Sequence, residues 1–281
     1  MKQDFTRRRF LVAGAVLATT LQLKRSALAA DADVCRLIPE QEEGPYYVAG
    51  ELVRTNIAES KPGVPLSLRI LVLDSRSCKP LSNAAVDAWH CDALGLYSGF
   101  TTQNPMGPGV PPFGGPGGPP PPPEDMGPPP QNHPTDKLTF LRGIQLTGAD
   151  GAVNFQTVFP GFYMGRTNHI HFKVRIGGHV AGTSYEAGHT SHTGQIFFPE
   201  QVATELMLHE PYTLHRIHRT TQNEDHVFGD QNGHLAIARL QPGNFAQGMH
   251  ADLVAVVDPT ATPAGAQRRG RPPGPPRPFS T

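Results

Sequence analysis

The chain has 281 residues, with 24 Lys/Arg against 24 Asp/Glu, 30 prolines and 30 glycines. That balance excludes the basic face of a nucleic-acid binder. With the two ends set aside, about 230 residues remain, enough for one domain with a sizeable core.

Residues 1–30 read as a targeting segment. Thr6-Arg-Arg-Arg-Phe-Leu11 is a twin-arginine-like n-region, and an apolar stretch runs from Phe10 to about Leu23. Lys24, Arg25 and a small-residue cleavage pattern, Ala27-Leu-Ala29, follow. The apolar stretch is shorter than the roughly 20 residues of a spanning helix. The expectation is therefore export to the periplasm or the medium, with no transmembrane segment. Twin-arginine export carries proteins already folded. Without residues 1–30 the chain carries 18 basic against 23 acidic residues. Without the tail at 259–281 as well, the count is 14 against 23.

Residues 31–258 form the expected single folded domain. After the turn-like Glu43-Gly-Pro-Tyr-Tyr47, strand-like runs appear at Leu66–Leu73, Ala84–His90, Ile144–Thr147, Ala152–Val158, His169–Ile176 and Gly194–Phe198. Turn signals such as Asp150-Gly151 separate them, and Pro199–Leu208 reads as one short helix. The pattern predicts an all-β antiparallel sandwich with long irregular loops. Between the second and third runs, positions 104–134 hold 14 prolines and 7 glycines in 31 residues. Such an insertion cannot pack a core, and its glycines are low complexity rather than a nucleotide loop. The tail at 259–281 is Pro/Arg-rich and contains Arg268-Arg-Gly-Arg-Pro-Pro-Gly-Pro-Pro-Arg277. Cys35, Cys78 and Cys91 allow one disulfide and one free thiol, with three pairings open. A bridge at Cys91 would steady Tyr97, six residues on.

The chemistry is concentrated in Tyr163-Met-Gly-Arg166-Thr-Asn-His169-Ile-His171-Phe. Side chains alternate along a strand, so His169 and His171 share a face and can share one ion. Ile170, Phe172, Val174 and Ile176 form the apolar face; His169, His171, Lys173 and Arg175 form the other. An isolated His-x-His is more often plain strand polarity than a metal site. Its company changes the reading: Tyr163 precedes the strand after Pro160-Gly161, Arg166 lies three residues before the first histidine, and Tyr97 follows Trp89-His90-Cys91. Two phenols and two imidazoles suit Fe(III), a hard cation that prefers anionic oxygen. Two phenolates and a hydroxide would neutralise it, so the site can be buried without a stranded charge. By contrast, His189 and His192 lie in a Gly- and Ser-rich stretch that reads as a solvated loop. His209, His215, His218, His226 and His234 read as surface or structural residues. Two other readings use the same features: a zinc-type hydrolase on the two histidines, and a non-catalytic sandwich that binds aromatics.

From about Cys35 to about Asp230 the sequence resembles the intradiol ring-cleavage dioxygenases, the catechol and protocatechuate dioxygenase type. The resemblance rests on Glu43-Gly-Pro-Tyr-Tyr47, on Trp89-His-Cys-Asp-Ala-Leu-Gly-Leu-Tyr97-Ser, and on Pro160-Gly-Phe-Tyr163 leading into Arg166-Thr-Asn-His169-Ile-His171-Phe. It implies a prealbumin-like sandwich holding Fe(III) through Tyr97, Tyr163, His169 and His171. It also implies a small aromatic diol and O2 as substrates, with Tyr163 the ligand that departs when the diol binds. Arg166 would stabilise charge on the ring, Gln195 would hold the guanidinium, and Pro45 and Tyr46 would line the substrate pocket. The biased insertion departs from the family pattern. Neither the particular catechol nor the oligomeric state follows from the residues.

Overall fold

His169–Ala181 and Ser184–Phe197, the two longest strands at 13 and 14 residues, pair as an antiparallel hairpin. A computed structural model describes residues 35–50, 52–102, 133–241 and 244–263. Its strands are β1 (Pro65–Asp74), β2 (Ala85–Trp89), β3 (Arg142–Leu146), β4 (Ala152–Val158), β5 (His169–Ala181), β6 (Ser184–Phe197), β7 (Arg239–Leu240) and β8 (Met249–Val257). They make two four-stranded sheets, ordered β4-β1-β8-β7 and β3-β2-β5-β6. The expected export signal, most of the insertion and most of the tail lie outside the described residues.

The core lies between the sheets. Leu66, Leu68, Ile70 and Val72 of β1 meet Val86 and Ala88 of β2 and Ile170, Phe172 and Val174 of β5, all buried. Each fully buried side chain of this size contributes about 1.5–3 kcal/mol, so alternation along these strands fixes which face turns inward. His90, just beyond β2, ties the sheets together: its Nε2 lies 2.7 Å from Thr157 Oγ1 on β4. Burial lowers that imidazole's pKa to about 4, so it serves as a neutral crosslink.

The sandwich is as expected in class, with four corrections. First, it is not wholly antiparallel. β1 and β8 pair in parallel from Leu66↔Met249 to Asp74↔Val257, because the chain returns to this edge only after the whole second sheet. Second, helix extends beyond the one expected segment. Besides α1 (Glu200–Leu206), the described residues hold α2 (His226–Asp230) and three 3-10 turns. Third, His189 and His192 sit on β6, not in a solvated loop; His192 is buried against Phe172, with ring centroids 5.3 Å apart. Fourth, the disulfide joins Cys35 to Cys78, and Cys91 is a buried free thiol, so no bridge steadies Tyr97.

A half-solvated strand was expected, yet His169 to Val174 is buried on both faces. The covering is the segment at 41–48. Gln41 accepts the Gln195 backbone N–H at 2.8 Å and donates its own backbone N–H to Thr193 at 3.0 Å, laying this strap across the outer face of β5 and β6.

Candidate active site

Three loops and one strand bring the chemistry together. Across the sheet, Trp89 pairs with His171 and His171 with Gln195, so these three side chains stand in one row. After β2 the chain turns tightly. Asp92 accepts the backbone N–H groups of Leu94 and Leu96 at 2.9 and 3.0 Å, and Lys61 pairs with its other oxygen at 2.6 Å. That turn delivers Tyr97. Tyr163 comes from the turn before β5, closed by Arg166 N–H donating to Tyr163 C=O at 3.0 Å. Gly161 allows the two loops to touch, since a β-carbon there would lie 2.3 Å from the Asp92 carbonyl oxygen.

The four side chains expected around one ion close into a ring. Centroid separations are 5.8 Å for Tyr97–Tyr163, 5.6 Å for Tyr163–His169, 4.7 Å for His169–His171 and 6.4 Å for His171–Tyr97. His169 and His171 point Nε2 at Nε2, 3.1 Å apart. His169 Nδ1 lies 2.6 Å from the Thr167 carbonyl, which can only accept, so that proton sits on Nδ1 and Nε2 offers a lone pair. Two ligands at right angles on an ion with bonds of about 2 Å would be about 3 Å apart. The Tyr97 hydroxyl is buried and has no hydrogen-bond partner among the described residues. An orphaned phenol beside two converging imidazoles is the environment a cation would complete.

Electrostatics agree with that donor set. Burial and the Arg166 charge push the His169 pKa down to about 3, and burial, with His169 and Arg166, pushes His171 well below its usual value. Both are neutral and keep a lone pair at neutral pH. Burial raises both Tyr97 and Tyr163 above the ordinary phenol value, so a strongly polarising cation is required to ionise them. Among the described residues, no three His, Cys, Asp or Glu side chains gather as a metal-binding group. The convergence is of imidazoles with phenols, a set suited to ferric ion and not to the zinc-hydrolase alternative.

Arg166 is the charged centre of the site. Its Nε donates to both oxygens of Asp225 at 3.1 Å, Nη1 lies 3.4 Å from the Tyr163 hydroxyl, and Nη2 donates to Gln195 Oε1. Gln195 is oriented by donating its amide to the Glu42 carbonyl at 2.9 Å, and Glu42 Oε1 approaches Arg166 at 3.8 Å. Sequence reasoning missed Asp225 and Glu42. Asp225 also caps α2, accepting from Val227 and Phe228 N–H, and takes the Thr167 N–H at 2.9 Å. Its one sequence signal is an Asp before a helix too short to show a period.

The strap supplies the cover. Tyr46 stacks on Tyr97 with centroids 4.6 Å apart and meets Tyr163 edge-on at 5.8 Å; Pro45 lies beside it in the same turn. Arg142 holds this arrangement by donating to the Tyr46 carbonyl at 2.7 Å and to Ser98, next to Tyr97. Gly44 has a φ of +72°, and a β-carbon there would lie 3.1 Å from His171 Cε1. Gly44→Ala is expected to cost about 1–2 kcal/mol in stability from the left-handed backbone alone. It should also weaken metal binding by pressing on His171. Thermal melting together with a ferric-ion titration checks this.

Mostly β in two sheets, the molecule is a β-sandwich with a buried phenol–imidazole cluster. No family model matches the chain. An intradiol ring-cleavage dioxygenase from Tetranychus urticae is 30% identical, with a TM-score of 0.67 over 82% of this chain and 98% of that one. A second solved dioxygenase is also 30% identical, with a TM-score of 0.66 over the same shares. Catechol 1,2-dioxygenase 2 of Acinetobacter lwoffii is 37% identical over 99 residues, covering 34% of this chain and 36% of that protein, about a third of its length. The chain belongs to the intradiol ring-cleavage dioxygenase family.

Proposed function

We propose that this protein is an exported Fe(III)-dependent dioxygenase that opens catechol-type rings between their two hydroxyls, using O2 and giving muconate-type diacids. The ring of Tyr97, Tyr163, His169 and His171, with its facing Nε2 atoms and the orphaned Tyr97 hydroxyl, carries this reading. Those four residues would hold the ferric ion, which when bound supplies Lewis acidity and a redox centre for activating a catecholate toward dioxygen.

The chain's own groups have separable tasks. Tyr163 is the most exposed of the four at 9%, against 1–2% for the others. It is the group an incoming diol would displace; held as a phenolate while the ion is bound, its oxygen would take one substrate proton on leaving. Arg166 Nη1, 3.4 Å from that oxygen, stays charged and faces the negative charge of an ionised diol. Asp225 and Gln195 fix the guanidinium so that little reorganisation accompanies charge development. Pro45 and Tyr46 form a wall against which an aromatic ring can pack.

Export rests on the targeting pattern of residues 1–30 and is supported by the Cys35–Cys78 disulfide, which suits an oxidising compartment. Oxygen-uptake assays across catechol, protocatechuate, hydroxyquinol and larger lignin-type diols test the activity. The expected result is oxygen consumption with at least one of them, yielding a ring-opened diacid that retains both oxygen atoms. No uptake by iron-loaded protein with any of these diols would contradict the proposal.

A further inference from the structure

The two histidines are held in different ways. His169 has the usual support for a ligating imidazole, a carbonyl opposite its second nitrogen. His171 has none, because its Nδ1 is buried without a partner among the described residues. What it has is a flat neighbour. The Trp89 indole lies 4.9 Å from it, centroid to centroid, with the ring planes only 7° apart.

Resting on the iron-binding reading above, we propose that Trp89 is the positioning residue for His171, setting the plane in which this imidazole offers Nε2 by stacking instead of by a hydrogen bond. Trp89 is itself locked. It is fully buried, cross-strand pairing places it opposite His171, and the Tyr47 ring packs against it, tilted by 59°, at 4.9 Å. The Tyr47 hydroxyl donates to buried Asp87 at 2.9 Å, and Lys173 Nζ sits 3.4 Å from the centre of the Tyr47 ring while pairing with Glu43 at 2.5 Å. Asp87, Tyr47, Trp89 and His171 therefore form one continuous chain of contacts: a hydrogen bond, a tilted ring pair and a parallel stack.

The indole is an expensive choice for mere filling. Its N–H is buried and unpaired among the described residues, an uncompensated desolvation that phenylalanine would avoid. The compensating property is its face. An imidazole that shares charge with a bound cation becomes electron-poor, and an indole is the aromatic face that stabilises such a group best. The stack should therefore tighten on metal binding, which mere filling would not do.

The test compares full-length wild type, Trp89→Phe and Trp89→Leu by ferric-ion affinity against a competing chelator, with melting temperature as the structural control. The Leu variant is expected to bind iron about 10–100-fold more weakly, the range for losing a partner that orients a ligand. The Phe variant should recover most of that affinity without a lower melting temperature. Independently of either variant, the His171 ring protons in the metal-free wild type should be shifted upfield by the indole. A folded Leu variant with wild-type affinity, or unshifted His171 protons, overturns the inference alone. Wild type that takes up no iron overturns the reading of the site and this inference with it.

Discussion

Replacing His171 with alanine is expected to give a folded protein that loses most of its iron, its visible colour and its activity. His171 is one of two neutral imidazoles whose Nε2 atoms face each other across 3.1 Å, so its loss opens one side of the cluster. An affinity drop of at least about 100-fold follows, since even residues that only orient a ligand are worth 10–100-fold. Tyr163→Phe should behave differently. It removes the more exposed phenol and leaves Tyr97 and both imidazoles, so iron is partly retained while the colour changes and activity falls. Metal analysis and visible absorption of the two variants side by side check the pattern. Iron kept by His171→Ala and lost by Tyr163→Phe would reverse the assigned roles.

The second large effect is expected at Asp225. Its carboxylate answers the buried Arg166 charge with two contacts of 3.1 Å and also accepts the Thr167, Val227 and Phe228 N–H groups. Removing one partner of a buried ion pair costs about 3–5 kcal/mol because the other charge is stranded. The lost helix cap adds about 1 kcal/mol. For a domain of this size, each kcal/mol lowers the melting temperature by about 2–4 °C, so Asp225→Ala should melt roughly 10 °C or more below wild type. Asp225→Asn keeps an oxygen for the cap but not the charge, and separates the two contributions. It should recover part of the stability while kcat stays depressed by about 100-fold, the scale for disturbing a group that stabilises developing charge. Calorimetry and oxygen uptake measure both. A wild-type kcat in the Asn variant would show that Arg166 needs no carboxylate behind it.

Six of the eight described strands were legible because short β-rich runs bounded by turn residues are a local signal. β8 was not, although Met249, Ala251, Leu253 and Ala255 do alternate. A short apolar run is ambiguous alone, and its parallel pairing with β1 is set by packing across more than 180 residues of sequence. The first half of β6 looked like a loop because it extends past the core, where Glu186 to His189 are exposed and no apolar face is needed. The site followed the same division. Tyr97, Tyr163, Arg166, His169 and His171 stood out as candidates from their company in short motifs, and Gln195 came only from the family resemblance. Asp225, Glu42 and Gly44 act through contacts spanning 59 to more than 120 residues, which no local pattern encodes. Trp89 lay inside a quoted motif, yet its stacking on His171 is visible only through the β2–β5 register.

The account depends on ferric ion bound by two phenols and two imidazoles, and the visible spectrum of the purified full-length protein tests this most directly. Expression with adequate iron should give a red-brown protein containing equimolar iron, its broad visible band arising from phenolate-to-iron charge transfer and changing when a catechol is added without oxygen. A colourless protein free of iron, or one carrying equimolar zinc, would contradict it.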